Sequence, residues 1–378
     1  MNIPLAKPEI NKTEIDAINK SIKSGWLAHG KYNAIFEKNF AKFIGTKYAV
    51  AVNSCTSALE LALWANNITS GEVIIPSFTW VSTANVVVLS GCKPVFCDVD
   101  LKTRNISVEN IRPLINKKTK AIIAVHFAGL PCDLLKLKNI CKKNKILLIE
   151  DSAECIGGKQ NNIIAGSVGV GCFSFYPTKN ITTCEGGMIT SNSLKFIKKS
   201  KALSAHGIPN SAYERTKKKN AWYRNARYAG RNFRMPDPLA AMGIVQLSKL
   251  NKMNAKRNKI AKIYNSKFKK NTDIKIQITP KKFFHSYQMY SIYICGINKE
   301  EFIKFLNSKK IGASSHFDPP VHKQDAYKKF SNKKLNNTEL LSKYSISLPI
   351  FSEMTSKQTN MISEIVIKNY KAYLVKDR

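Results

Sequence analysis

The chain reads as an α/β protein, with a large domain on a mostly parallel sheet (residues 1–250) and a smaller C-terminal α+β domain (residues 251–378). Three observations predict this. A length of 378 residues exceeds what one compact core of ordinary size holds. Between residues 46 and 190 short, uniformly apolar runs alternate with amphipathic ones, the pattern of strands covered on both faces. Beyond Asp237 that alternation gives way to one long helical run and then to a mixed pattern.

In chain order, YAVAV is a strand and SALELALWA a helix, and EVIIP is a strand followed by a helix through Val81 to Leu89. PVFCDVD and AIIAVHF are further strands. LLKLKNICKK is a helix, and ILLIED and CFSFY are strands that carry their polar residues at the carboxyl end, where such sheets place function. A helix from Asp237 towards Phe268 reads as a connector. The C-terminal unit holds a strand near SYQMYSIYIC, a helix at EEFIKFLNS, a strand at IGASSHF and a last helix from Ser356. The basic run KKKN after Arg215 reads as a mobile loop, and no internal repeat is visible.

Apolar residues make up 44% and charged residues 23%, the balance of an ordered globular protein. The net charge of +36 invites a polyanion-binding reading, but 52 of the basic residues are lysines spread over the whole length, which is compositional drift on solvated positions. Nucleic-acid binding is therefore not expected. Nine cysteines with no CxxC pair, several in strand-like runs such as Cys97, Cys172 and Cys295, point to buried free thiols and a reducing compartment. With no apolar leader and no run long enough to span a bilayer, a cytoplasmic protein without membrane insertion is expected. The six histidines show no metal spacing, and GxGxxG, Walker and GxSxG patterns are missing.

Five positions stand out. Lys179, in GCFSFYPTKNITTCEGG, follows a strand end and a turn marked by Pro177; burial there would free its amine to attack an aldehyde, whereas an ordinary surface lysine is the plain alternative. ILLIED ends in Glu150, read as a cap for the next loop, and Asp151, read either as a cap or as the partner of a cofactor pyridine nitrogen. Small and polar residues from Asn53 to Ser57 open a helix, where free N–H groups suit a phosphate and where simple N-capping places the same residues. Trp80 is either a platform for a flat ring or a core tryptophan. Five of the nine arginines (Arg215, Arg224, Arg227, Arg231, Arg234) fall within twenty residues, suggesting anion recognition or a solvated helix face.

Together these segments resemble the DegT/StrS type of nucleotide-sugar aminotransferase, a branch of the fold-type-I pyridoxal-phosphate (PLP) enzymes. The resemblance runs from Leu5 to the C-terminus through SGWLAHGKYNAIFEKNFAKFIG, NSCTSALELAL, PSFTWVSTAN, HFAGLPCD, IEDSAE, GCFSFYPTKNITTCEGG, GRNFRMPDPLAAMGIVQL, ASSHFDPPVH and SISLPIF. It implies pyridoxal 5'-phosphate held by Lys179 as a Schiff base, with Asp151 on the pyridine nitrogen, Trp80 on the ring face, Ser174, Cys55 and Thr56 at the phosphate, and Glu154 beside the cofactor. It further implies a homodimer with shared active sites, Asn232 and Arg234 reaching the neighbour's cofactor phosphate, and His29, Arg231 and His316 on the substrate side. The implied reaction is ping-pong transfer from an amino-acid donor, glutamate by family habit, to a keto group of a nucleotide-linked sugar. TWVSTAN, the His316/Phe317 pair and NTE before SLPIF look most like enzymes acting on UDP-4-keto sugars, including the 4-amino-arabinose type.

Glu154 stands where many relatives carry His or Gln, Cys184 replaces a usual Gly or Ala, and Ser204 replaces an Arg. Two rivals share the fold: a PLP-dependent sugar dehydratase, in which His replaces the lysine, and a keto-cyclitol aminotransferase. A third is an inactive enzyme fold that binds polyanions.

Overall fold

In the computed structural model, residues 2–210, 212–216, 220, 222–331 and 333–375 are described. The large sheet has seven strands, β1 (Tyr48–Val52), β2 (Glu72–Pro76), β3 (Lys93–Cys97), β4 (Thr119–Val125), β5 (Leu147–Asp151), β6 (Val170–Ser174) and β7 (Gly187–Ser191), in the order β1-β7-β6-β5-β4-β2-β3. Six run in one direction; β7 alone is antiparallel to both its neighbours. The sheet is thus the mostly parallel one expected, with one strand the sequence reading did not identify. β7 begins with glycine and ends in Thr190 and Ser191, so it lacks the apolar run that marks the other strands.

Alternation along each strand feeds two cores. Val50 and Val52, Val73 and Ile75, and Ala121 and Ile123 pack under the helices Cys55–Trp64, Ser82–Leu89 and Leu194–Leu203. The intervening Ala49, Ala51, Ile74, Ile122 and Leu148 face the helices Lys31–Ile44, Leu134–Asn144 and Asp237–Phe268 on the other side. Period-two strands that bury both sets of side chains must be apolar throughout, which is why they were legible in the sequence.

The predicted domain boundary at residues 250 and 251 falls inside the unbroken 32-residue helix Asp237–Phe268. Leu250 packs in the large core, whereas Ile260, Ala261, Tyr264 and Phe268 belong to a second core around a three-stranded antiparallel sheet of β8 (Ile274–Ile276), β9 (Tyr290–Ile294) and β10 (Ser345–Leu348). Ile3, from the opposite end of the chain, is fully buried in that second core and pairs with Ile311. The strand expected at IGASSHF is not formed. Ile311 and Ser314 make only isolated bridges, to Ile3 and Ser347, and the chain then turns away to carry His316 into the cavity described below. Cys97 and Cys172 are buried as expected, but Cys295 is exposed because it lies one residue past the end of β9. The basic run Lys217–Lys219 lies outside the described residues. Among the described residues no helix is long and apolar enough to cross a membrane.

Candidate active site

The carboxyl ends of the parallel strands converge on one edge of the sheet. Val125 pairs with Asp151 across β4 and β5, and both Ser174 of β6 and Val52 of β1 lie opposite Gly187 of β7. Past that edge opens a cavity of about 480 Å³. It is lined by Lys179, Asp151, Glu154 and Ser174 on the strand-end loops, by Cys55 and Thr56 at a helix start, and by Trp80 and His316. Eight residues singled out in the sequence, drawn from five separate segments, therefore share one space.

Lys179 is placed by a turn. Its N–H donates to the Tyr176 carbonyl at 2.9 Å, with Pro177 between them fixing the entry backbone angle. The following Asn180 anchors the loop, donating to Asn254 of the long helix at 2.6 Å and to the Ser286 carbonyl at 2.9 Å. The Lys179 side chain is only 15% exposed, and its Nζ lies 3.8 Å from Oε1 of Glu154. Glu154 is itself fixed by the Ala128 N–H, 2.8 Å from Oε2. The surface-lysine alternative is thereby removed.

Asp151 is buried and held from two sides. Oδ2 accepts from the Thr83 hydroxyl at 3.0 Å, and Oδ1 accepts from the Ala153 N–H at 3.2 Å. Burial raises its pKa above the ordinary carboxylate value, against the lowering effect of those two hydrogen bonds. The Cys55 thiol lies 3.8 Å from Oδ1; burial and then the Asp151 charge push it well up, so it stays a thiol. Burial likewise lowers the pKa of His316, whose Nδ1 lies 2.8 Å from the Ser347 hydroxyl.

The helix Cys55–Trp64 is capped by Ser54, whose hydroxyl accepts from the Ser57 N–H at 3.1 Å. The N–H groups of Cys55 and Thr56, in the first turn, have no intrahelical acceptor and face the cavity end of the helix. The turn packs so tightly on β7 that a Cβ at Gly187 would lie 2.4 Å from the Ser54 carbonyl carbon and oxygen. Only a glycine there lets the helix start reach the strand ends. Trp80 is 64% exposed at the cavity wall, which excludes the core reading.

Four predicted residues lie outside this cavity within the chain. His29 pairs with Glu37 at 3.1 Å and, with Arg234, lines a second cavity of about 320 Å³ that also includes His206, Arg215 and Arg224. Arg234 contacts the Asn232 side chain at 2.9 Å and bridges to Val52 of β1. Arg231 lies over the Trp64 ring and 3.6 Å from Glu60. Residues the sequence reading missed are Thr83, which orients Asp151, and Gln288 and Met289 from the C-terminal unit, which close the cavity together with Phe317. The motif PSFTWVSTAN contained Thr83; nothing in the sequence pointed to Gln288 or Met289.

Residues 8–367 match the DegT/DnrJ/EryC1/StrS aminotransferase family. The chain belongs to this family and is an aminotransferase. It is 34% identical to the spore coat polysaccharide biosynthesis protein SpsC of Bacillus subtilis over 374 residues, 96% of each chain. Among solved structures it superposes on Helicobacter pylori PseC, an aminotransferase involved in the biosynthesis of pseudoaminic acid, with a TM-score of 0.91 and 28% identity over 99% of this chain and 100% of that one. The PLP form of Spr1654 from Streptococcus pneumoniae gives a TM-score of 0.91 and 26% identity over 99% of this chain and 100% of that one. These likenesses agree with the fold-type-I architecture described above.

Proposed function

We propose that this aminotransferase uses pyridoxal 5'-phosphate and moves an amino group from an amino acid, glutamate, to the keto group of a nucleotide-linked sugar, a UDP-4-keto sugar, for glycan assembly. The observation that carries the reading is the placement of Lys179 and buried Asp151 on one cavity whose rim includes a helix N-terminus. The donor set fits the cofactor group by group. Lys179 supplies the amine that binds an aldehyde, Asp151 an anion for a protonated ring nitrogen, Trp80 a flat face, and Ser174 with the Cys55 and Thr56 N–H groups a phosphate cradle. When bound, the cofactor acts as an electron sink for a carbanion at the carbon losing or gaining nitrogen.

The chain's own residues then have distinct tasks. Lys179 would hold the cofactor's aldehyde and, with its amine free, would be the base that takes the donor's Cα proton and returns a proton to the carbon on the other side of the transferred nitrogen. Glu154, 3.8 Å from Nζ, stabilises the ammonium form that exists between those transfers. Asp151 holds the ring nitrogen's positive charge in a site already desolvated, so no solvent must reorganise as charge develops. The contact of Glu154 with Lys179 supports a role in this proton handling.

The sugar substrate is supported by the roles of SpsC, in spore coat polysaccharide biosynthesis, and PseC, in pseudoaminic acid biosynthesis, and PLP by the PLP form of Spr1654. A homodimer with shared sites is supported by Asn232 and Arg234, which stand outside the cavity of their own chain. A cytoplasmic site of action is supported by nine free cysteines. The test is to incubate the protein with pyridoxal phosphate, glutamate and a panel of nucleotide-linked 4-keto and 3-keto sugars, following 2-oxoglutarate release and amino-sugar formation. A UDP-4-keto sugar should be aminated by the wild type and not by Lys179→Ala. Turnover by Lys179→Ala, or no amination of any sugar, would defeat the reading.

A further inference from the structure

We infer that Lys299 is a positioning residue for the active site: it clamps the segment that puts His316 and Phe317 into the cavity, and so sets the affinity for the molecules that react there. Among the lysines in ion pairs with described residues it is the least exposed, at 10% against 15% for Lys179, although it belongs to a different unit of the fold. It occupies the first position of the helix Lys299–Ser308, beyond the N-cap Asn298.

A buried ammonium has three N–H bonds to satisfy, and here each has an acceptor. Nζ donates to the Ser315 hydroxyl at 2.8 Å, to Oδ2 of Asp318 at 2.6 Å and to the Ser342 carbonyl at 2.5 Å. Ser315 and Asp318 flank His316 and Phe317 on either side. Asp318 is held a second time, by the Ser342 hydroxyl at 3.2 Å from Oδ1. The two residues between these anchors are the ones that enter the cavity: His316 beside the Ser347 hydroxyl, and Phe317 against Phe78, Phe127 and Trp80.

Lys299 touches nothing in the cavity itself, so its influence passes through that segment. A positive charge so placed cannot be replaced by an apolar residue without releasing Ser315 and Asp318 from their shared anchor and leaving Asp318 to the Ser342 hydroxyl, because one cation serves both. The wall opposite Trp80 then loses its fixed position, while Lys179, Asp151 and the helix start, carried by the large sheet, keep theirs. Both half-reactions of a ping-pong enzyme use one cavity, so the loss falls on the donor as well as on the acceptor.

This rests on the proposed PLP chemistry, and the donor half-reaction separates the two. Wild type, Lys299→Met and Asp318→Asn are loaded with pyridoxal phosphate, and the spectral change on mixing with increasing glutamate is recorded together with thermal melting. The expected result is unchanged cofactor absorbance with a half-saturating glutamate concentration raised about ten- to hundredfold in Lys299→Met and a smaller change in the maximal rate. Asp318→Asn should show part of the same effect, and the double variant no more than Lys299→Met alone. A Lys299→Met protein that melts earlier but saturates like the wild type would overturn the inference; if that variant does not fold, normal saturation in Asp318→Asn would do so. A wild type that reacts with no amino acid would instead defeat the PLP reading.

Discussion

Thr83→Val should move the acid limb of the pH–rate profile upward without touching Lys179. Valine matches threonine in shape, and Thr83 is fully buried, so the change removes one hydroxyl and little else. That hydroxyl donates to Oδ2 of Asp151 at 3.0 Å, and its hydrogen is committed there because an ionised carboxylate only accepts. Thr79, 3.1 Å from the same oxygen, therefore donates to Thr83 and loses only a neutral partner. A hydrogen bond to a charged group contributes about 1.5–3 kcal/mol. At about 1.4 kcal/mol per pKa unit, its loss raises the Asp151 pKa by about one to two units beyond the rise that burial already causes. The working form of Asp151 is the anion, so activity falls as pH falls through its pKa, and in Thr83→Val that fall begins at higher pH. The assay is kcat/KM for the amino donor against pH, which reports the groups of the cofactor-loaded enzyme before substrate binds. Thr83→Ser, which keeps the hydroxyl, should restore the wild-type limb. A Thr83→Val profile superimposable on the wild type's would show that Asp151 ionisation does not limit the reaction.

Asp151→Asn tests the same carboxylate through stability. Its folded-state pKa is raised, so its contribution to stability is present below the unfolded value of 3.8 and lost as pH rises through the folded value; the cofactor-free Asn variant should resist urea better than wild type at neutral pH while losing turnover. A lower urea midpoint would contradict this. Glu150→Ala should cost about 3–5 kcal/mol in urea unfolding, because it removes a fully buried anion and leaves its several N–H partners unsatisfied. A loss below about 1 kcal/mol would exclude that structural role. Finally, Lys179→Ala and the double variant Asn232→Ala/Arg234→Ala, each inactive alone, should regain about a quarter of wild-type activity when unfolded and refolded together, since half the dimers are mixed and each holds one intact site. No recovery would mean that the sites are not shared.

How much of this was legible depended on how far apart the partners lie in sequence. The strands of the large sheet could be read because burial on both faces makes them apolar, and the helix Asp237–Phe268 because its long helical pattern is local. β7 could not, since its place between β1 and β6 comes from pairing and its residues carry no alternation of their own. The same holds within the site. Lys179 was marked by the strand and Pro177 immediately before it, whereas Thr83 acquires its role from a carboxylate 68 residues away. Lys299 was one of 52 lysines. What distinguishes it is burial beside Ser315, Asp318 and Ser342, and no local pattern encodes that.

Glu150 and Asp151 show how a period of two divides structure from chemistry. Neighbours on a strand project to opposite faces, so two adjacent carboxylates at the end of β5 meet different surroundings. Glu150 faces the loop that leads into β6, where it accepts from the Gly166, Val168 and Gly169 N–H groups at 2.7, 2.9 and 2.7 Å. His126 completes the set from 3.2 Å: its Nδ1 accepts from the Cys132 N–H, so its proton lies on the Nε2 that faces Glu150. That carboxylate is saturated and has nothing left to offer a ligand, as the loop-cap reading anticipated. Asp151 faces the other way, holds among the described residues only Thr83, the Ala153 N–H and a weak thiol contact, and borders the cavity. A carboxylate with spare acceptor capacity in a desolvated place is poised for a cation, and a protonated ring nitrogen is the cation that Lys179 on the same cavity would bring to it.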